Sequence, residues 1–375
     1  MFLQRLRLSD FRNYERLELN FEHNLNILAG ENAQGKTNVL EAIAFTALSK
    51  SPRTVRDADL VRWKAPQAWV YAEIARQKRG PVSIDITLLS SGRKLIKVNE
   101  VTRRRLNEVI GQVNVVMFGP QDLTIVSGDP SQRRHFLNLA IAQTSREYYY
   151  NLAQYRKVLR QRNSLLKSLE GQLNRAELLD PWDEQLLHYG ARLMEIRCRV
   201  VAQLAEKAQQ THYHLANGQE ELTVRYGPSF DLQGATTAEE LAQVFQAELQ
   251  RRREEEIRRG VTLIGPHRDD LLLEVNGLEA RLYASQGQQR TAAIALKLAE
   301  LSLIREWIGE SPLLLLDDVM SELDDRRRRQ VMALTDDVEQ IFITCSQKST
   351  FSQAILRRAG LFQVHAGTIT PVPLG

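Results

Sequence analysis

An α/β fold in two lobes, one built on a mixed sheet and the other mainly helical, is predicted by three observations. Two apolar strands, residues 24–29 and 313–316, each end on chemistry-bearing residues: a glycine-rich turn after the first, two adjacent acids after the second. Between about 130 and 260 the apolar spacing changes from strand-like to helical, and strands return afterwards. The predicted first lobe is split in sequence, 1–125 with 291–375, and the helical lobe occupies 126–290.

The opening residues 1–8 alternate like a strand and lack the apolar block of a secretion signal. Residues 17–21 and 82–88 alternate likewise, with a hairpin connection at Lys78-Arg79-Gly80-Pro81 after the run 69–75. The apolar segment 113–118 predicts a further strand. Gly128-Asp129-Pro130 then predicts a helix start, Asp129 as N-cap and Pro130 in the first helical position. Leu152, Tyr155, Leu159, Leu165, Leu166 and Leu169 mark one helical face, interrupted near Asp180-Pro181. Further helices are predicted over 182–215 and 238–257, separated by a short strand at 222–226. Sustained heptads are absent, so no coiled-coil arm is expected. Strands are expected at 261–264 and 271–275, flanking the charged turn Gly265-Pro266-His267-Arg268-Asp269-Asp270, with Asn276-Gly277 as a hairpin signal. A helix over 288–308 leads to the strand 313–316, and 340–344 is a last core strand.

Gly30-Glu31-Asn32-Ala33-Gln34-Gly35-Lys36-Thr37 is a phosphate-binding loop in the context its chemistry requires, between a buried strand and a helix. Glycines let the backbone aim several N–H groups at a polyphosphate, and the new helix adds its positive end. Lys36 is expected to reach the β- and γ-phosphates and the Thr37 hydroxyl to hold Mg²⁺. Asp317-Asp318 at the end of strand 313–316 completes the pattern, Asp317 for the metal and Asp318 as general base or water-positioning group. Upstream, Ser285-Gln286-Gly287-Gln288 opens a helix and offers a second anion-binding start. In ABC-type ATPases such an element completes the site of a partner subunit, and Ser321-Glu322-Leu323-Asp324 looks like their D-loop.

Composition narrows the class. Of 375 residues, 43% are hydrophobic and 26% charged, ordinary for a soluble globular chain, and nothing approaches a bilayer-spanning apolar run. Two widely spaced cysteines, Cys198 and Cys345, fit a reducing compartment and argue against a disulfide framework or a zinc site. The net charge of +4 does not by itself indicate nucleic acid. Arginine clusters at 103–105, 133–134, 156–162, 251–253, 258–259 and 326–329 are each candidates for phosphate contact or for solvated helix faces. In His267-Arg268-Asp269-Asp270 a histidine and two acids invite a metal, but a lone histidine in a charged turn is more often structural, and the segment is left without an assigned role.

Over essentially its whole length the chain resembles the RecF family, bacterial DNA replication and repair ATPases related to the SMC and ABC proteins. The resemblance rests on Leu8-Ser9-Asp10-Phe11-Arg12-Asn13-Tyr14, Ser51-Pro52-Arg53-Thr54, Phe118-Gly119-Pro120-Gln121-Asp122-Leu123 and Gly128-Asp129-Pro130 with Arg133-Arg134. It continues through Gly265 to Leu271 and Asp317-Asp318-Val319-Met320-Ser321-Glu322-Leu323-Asp324. It implies an ABC-type ATPase head with a helical second lobe. Gly30 to Thr37 would bind ATP, with Lys36 and Asp318 catalytic, Thr37 and Asp317 on Mg²⁺, and Gln121 in the Q-loop position. Ser285, Gly287 and Gln288 would contact the γ-phosphate held by the other subunit, and Asp324 would lie in the D-loop. Arg12 and Asn13 would touch the nucleotide near its base and α-phosphate, and Arg53 falls near a loop arginine linked to DNA or nucleotide sensing.

By the same resemblance the protein is expected to be cytoplasmic and nucleoid-associated, with a role in the SOS response and no membrane partner. An ATP-driven homodimer would grip double-stranded and gapped DNA, open on slow DNA-stimulated hydrolysis, and help RecO and RecR load RecA. Two departures point to slow turnover: Asp318 is one methylene shorter than the glutamate of most ABC ATPases, and Cys345-Ser346 stands where many relatives have a histidine. The alternatives are a nucleotide-gated scaffold with negligible hydrolysis and a transporter's nucleotide-binding subunit. An ATPase-nuclease is disfavoured, since no acidic nuclease domain follows residue 340.

Overall fold

The computed structural model describes all residues except 55, 106–107, 170–172 and 373–375. The chain forms two compact units, Met1–Asp122 with Leu296–Gly375, and Leu123–Ala295.

Among the described residues the first unit holds two six-stranded sheets. One is antiparallel, in the order Tyr14–Asn20, Phe2–Phe11, Gln67–Ala75, Val82–Leu89, Lys94–Val98, Val101–Arg103. Its strands alternate because only one face is covered: Ala68, Val70, Ala72 and Ile74 are buried while their neighbours are partly open. The other sheet runs Thr368–Val372, Ala359–His365, Leu25–Ala29, Ile341–Cys345, Leu313–Asp317, Val115–Phe118. All its pairings are parallel except the edge pair of Thr368–Val372 with Ala359–His365. Its three central strands are buried at every position, as parallel strands covered on both faces must be. The helix Lys36–Leu48 packs against strands of both sheets, which explains why it is apolar almost all round.

In the second unit the helices Pro130–Ala142, Arg146–Ser168, Asp180–Leu215 and Ala238–Arg259 pack with a three-stranded sheet, Leu278–Glu279, Asp270–Val275 and Leu222–Gly227. Asn276 and Gly277, both at positive φ, turn the Asp270–Val275 and Leu278–Glu279 hairpin as their sequence predicts. Asp129 precedes Pro130 as N-cap in position, but its carboxylate pairs with Arg281 at 3.0 Å instead of capping. The strand expected at 261–264 is absent. Gly260 ends the preceding helix in the left-handed region, and the following N–H groups find side chains: Thr262 donates to Asn163 Oδ1 at 2.9 Å and Leu263 to Glu256 Oε1 at 2.7 Å. Backbone donors satisfied in this way leave no ladder to extend.

His267-Arg268-Asp269-Asp270 forms a polar hub in this unit. The His267 ring is hydrogen-bonded at both nitrogens, to the Tyr155 hydroxyl (2.7 Å) and the Thr262 carbonyl (3.2 Å). A carbonyl only accepts, so Nε2 carries the proton and Nδ1 accepts from tyrosine. Burial holds its pKa down to about 4. Asp269 accepts from the Tyr226 hydroxyl and from Ser229 N–H, and Asp270 receives Arg133 through two bonds of 2.8 Å. These side chains thus tie the turn to Tyr155, Tyr226, Ser229 and Arg133. Among the described residues no helix is long and apolar enough to cross a membrane.

Candidate functional site

The strand Leu25–Ala29 delivers Gly30 beside Cys345, whose carbonyl accepts the Gly30 N–H at 3.2 Å. A Cβ on Gly30 would lie 2.3 Å from the Val364 carbonyl oxygen, so only glycine lets the chain leave the sheet there. Gly35 turns the loop into the helix at φ 117°, where a Cβ would lie within 3 Å of both Asn13 and the Tyr14 hydroxyl. These two side chains brace the loop from outside: Asn13 Nδ2 donates to the Gln34 carbonyl (3.0 Å) and Tyr14 Oη to the Gly35 carbonyl (3.0 Å). Gly367 N–H and Ala366 N–H hold Gln34 from another side, at its carbonyl and Oε1. The helix Lys36–Leu48 begins with no side-chain cap and no acid in its first turn, which leaves its positive end suited to an anion. Lys36 Nζ folds back across the loop to the carbonyls of Gly30 (2.6 Å) and Glu31 (2.8 Å).

Thr37, the next residue, donates to Asp317 Oδ1 at 2.8 Å across 280 residues of sequence. Thr344 Oγ1 donates to the same oxygen at 2.8 Å and accepts the Asp318 N–H at 2.9 Å. One threonine therefore sets both acids. Asp318 sits at φ 56°, in the left-handed region that is uncommon outside glycine, which ends the strand abruptly. Its Oδ1 is buried with no hydrogen-bond partner among the described residues. A carboxylate oxygen held this way is costly unless a bound group completes it. Thr37 Oγ1 and Asp317 are hard donors that suit Mg²⁺, which keeps several of its own waters, and the orphan oxygen of Asp318 is an acceptor for such a water.

Gln121 lies against the end of the same strand. A Cβ on Gly119 would sit 3.3 Å from both amide atoms of Gln121 and 3.5 Å from Asp317 Cβ. The turn is locked by Asp122, whose carboxylate accepts the Gly119 N–H at 2.8 Å. Burial raises the Asp122 pKa, opposed by the charge of nearby Lys297, which pairs with Glu300.

Arg12 is engaged elsewhere in this structure. Its guanidinium makes a two-bond pair with Glu41, 2.8 Å each, and donates to the Asp59 carbonyl at 2.9 Å. Glu41 also accepts from Ser51 Oγ at 2.5 Å and lies 3.6 Å from Arg53. Arg53 reaches Asn38 at 3.4 Å, and Asn38 donates to Asn13 at 2.8 Å. A continuous polar chain thus runs from Arg12 through Glu41 and Arg53 back to the loop. The sequence does not single out Glu41 and Thr344, and it offers Tyr14 and Ser51 only as parts of family motifs, without a role in the site. The available signal was an acid inside the apolar run Val39-Leu40-Glu41-Ala42-Ile43, since a buried glutamate is rare unless paired.

Ser285, Gly287 and Gln288 belong to the other unit. Ser285 and Gln288 cap each other reciprocally, Ser285 N–H to Gln288 Oε1 (2.8 Å) and Gln288 N–H to Ser285 Oγ (3.2 Å). Gln288 Nε2 reaches Glu220 at 3.1 Å, and the Gly287 carbonyl accepts from Thr291 Oγ1 at 2.9 Å. Ser285 remains exposed at the start of the helix Gln286–Ile308. Asp324 caps the helix Asp325–Leu334 through Arg326 N–H and Arg327 N–H, which holds its carboxyl below the usual range. Burial pushes the Cys345 thiol up to about 11, so it stays protonated beside Lys36 and Asp318.

The model of the RecF/RecN/SMC N-terminal domain matches residues 2–370. The DNA replication and repair protein RecF of Halalkalibacterium halodurans is 42% identical over 98% of this chain and 99% of its own. That of Bacillus subtilis is 41% identical over 98% of this chain and 100% of its own. A solved structure of the recombination mediator protein RecF with ATP, in the RecFOR pathway, superposes with a TM-score of 0.91 at 32% identity, covering 99% of this chain and 98% of that one. An SMC head bound to the C-terminal winged-helix domain of ScpA gives 0.55 at 15% identity over 100% of this chain and 98% of that one, a likeness of fold alone. With the glycine-rich loop, the Thr37–Asp317 contact and a likeness that runs from end to end, the chain belongs to the RecF family of DNA replication and repair proteins, within the SMC-type ATP-binding ATPases.

Proposed function

We propose that this protein is an ATP-gated DNA clamp: two copies close around two ATP molecules, grip duplex or gapped DNA, and reopen on slow hydrolysis. The observation that carries the reading is the convergence of Lys36, Thr37, Asp317 and the unpartnered oxygen of Asp318 at the carboxyl ends of the central strands. Gly30 to Thr37 would wrap the phosphates with backbone N–H groups, and Lys36 would exchange its two carbonyl partners for phosphate oxygens. Mg²⁺, when bound by Thr37 and Asp317, would neutralise charge developing on the phosphates. Asp318 would hold the attacking water and take up its proton, while Gln121 reports on the same phosphate end. Ser285, Gly287 and Gln288, at an exposed helix start whose own first turn carries no acid, would meet the γ-phosphate held by the other copy. Arg12 and Asn13 would contact the nucleotide toward its base, Arg12 by sharing its charge between Glu41 and phosphate. Asp324 would stand near the paired surfaces.

Loss of the γ-phosphate removes contacts made only in the closed pair, so ATP binding stabilises closure and hydrolysis releases it. The relatives' association with recombination mediation supports a role beside RecO and RecR in loading RecA onto gapped DNA, in replication-coupled repair and the SOS response, in the cytoplasm at the nucleoid. Analytical ultracentrifugation with ADP, ATP or a slowly hydrolysed analogue, each with and without gapped duplex, tests the reading. A dimer with ATP and Mg²⁺ but not with ADP is expected. A chain that stays monomeric with saturating nucleotide and duplex overturns it. Pairing without any DNA-stimulated phosphate release would instead mark a nucleotide-gated scaffold.

A further inference from the structure

A cavity of about 230 Å³ opens in the unit Leu123–Ala295, lined by Ser131, Arg134, Asn138, Arg156, Arg197 and His267 among others, with no acid in its wall among the described residues. Arg197 is 2% exposed and fixed at its base, donating to Tyr148 Oη (2.9 Å), the Pro266 carbonyl (2.6 Å) and Asn138 Oδ1 (2.9 Å). Its nearest carboxylate, Asp269, is 4.0 Å away and already bound by Tyr226 and Ser229. Arg134 spends one nitrogen on the Asp269 carbonyl at 2.7 Å and has no carboxylate within ion-pair distance among the described residues. Arg156 stands exposed at the rim and, among the described residues, has no acid partner at all. Three guanidinium groups therefore share one concave space, with Asp269 and Asp270 behind them already bound by Tyr226, Ser229 and Arg133.

We propose that this cavity binds a terminal phosphate monoester, its dianion held between Arg134 and Arg156 over the fixed charge of Arg197. Paired arginine forks match phosphate oxygens in geometry as well as charge. Burial holds Arg134 below its ordinary pKa, the charge of Asp270 opposing it and that of Arg197 adding to it. A concave site favours a group that protrudes, such as the phosphate at a strand end, over an internal diester flanked by two sugars. The same chemistry would also accept free phosphate. That the source is a nucleic acid rests on the DNA-binding reading above, whereas phosphate occupancy does not.

The test uses the full chain with duplexes whose recessed strand ends in a 5′-phosphate or a 5′-hydroxyl, followed by fluorescence anisotropy. About tenfold tighter binding of the phosphorylated end is expected. Arg156→Gln should abolish that preference while leaving affinity for the hydroxyl end and ATP binding unchanged. Arg156→Lys should restore part of it, and Arg160→Gln, exposed one turn further along the helix, should leave the preference intact. Arg134→Gln is read in the same way if its melting temperature shows it folded. In parallel, millimolar inorganic phosphate should raise the melting temperature of the wild type but not of Arg156→Gln. Equal binding of both ends together with phosphate protection would assign the site to free phosphate. Duplex binding with neither end preference nor phosphate protection overturns this proposal and leaves the clamp reading standing. Phosphate protection without any duplex binding sustains the site and removes DNA as its source.

Discussion

Replacing Glu41 by glutamine tests whether the polar chain beside the loop holds the first unit together. The Glu41 carboxylate is fully buried and receives Arg12 Nε and Nη2 at 2.8 Å each and Ser51 Oγ at 2.5 Å. Glutamine keeps one acceptor but points an NH₂ at a guanidinium, so the two-bond pair cannot reform. Removing one member of a buried ion pair costs about 3–5 kcal/mol. Arg12 is 20% exposed and can recover some hydration, which brings the expected loss to about 2–3 kcal/mol. For a unit of about 200 residues that corresponds to a fall in melting temperature of about 5–10 °C. Thermal unfolding followed by circular dichroism, without nucleotide, reads it directly. The double variant Glu41→Leu with Arg12→Met removes both charges and should be more stable than the sum of the single losses predicts. A Glu41→Gln protein melting within a degree of wild type, or strict additivity in the double variant, would refute the reasoning.

Other expectations concern the chemistry and its pH dependence. Lys36→Ala should lose ATP binding and ATP-dependent pairing, whereas Ser285→Arg should bind ATP yet remain monomeric. Mixing the two should restore at most one composite site, and a mixture that sediments wholly as monomer with ATP counts against a site shared between copies. Asp318→Asn should bind ATP normally and dissociate more slowly than wild type after dilution; an unchanged lifetime removes Asp318 from the water-positioning role. His267 is held neutral, its pKa depressed from 6.5 to about 4. Stability from this group is therefore complete above pH 6.5 and declines as pH falls toward 4, because the unfolded chain takes up the proton first. The full effect is up to about 3 kcal/mol. Denaturant titrations of wild type and His267→Gln should differ in slope across that window, and parallel curves would discard the assignment.

The local elements were legible because their causes are local. A glycine at a strand end, a left-handed Asn276-Gly277 turn and a run of four leucines act through backbone sterics and burial that neighbouring residues determine. The segment 261–264 departs from its expected strand for the complementary reason. Its apolar residues resemble a strand, but Asn163 and Glu256, distant in sequence, capture its N–H groups. The loop, Asp317, Asp318 and Ser285 could all be named from the chain, since each motif carries its own strand or helix start.

The sequence by itself determined where a phosphate could be held, which acids end the neighbouring strand, and the change from strands to helices near residue 130. Tertiary structure alone decided that Thr37 and Thr344 meet on one oxygen of Asp317, that Arg12 is neutralised by Glu41, and that three arginines from separate segments share one cavity. The division has a physical origin. Backbone conformation and burial are set within a few residues, whereas a hydrogen bond or ion pair depends on positions that only the folded chain brings within 3 Å.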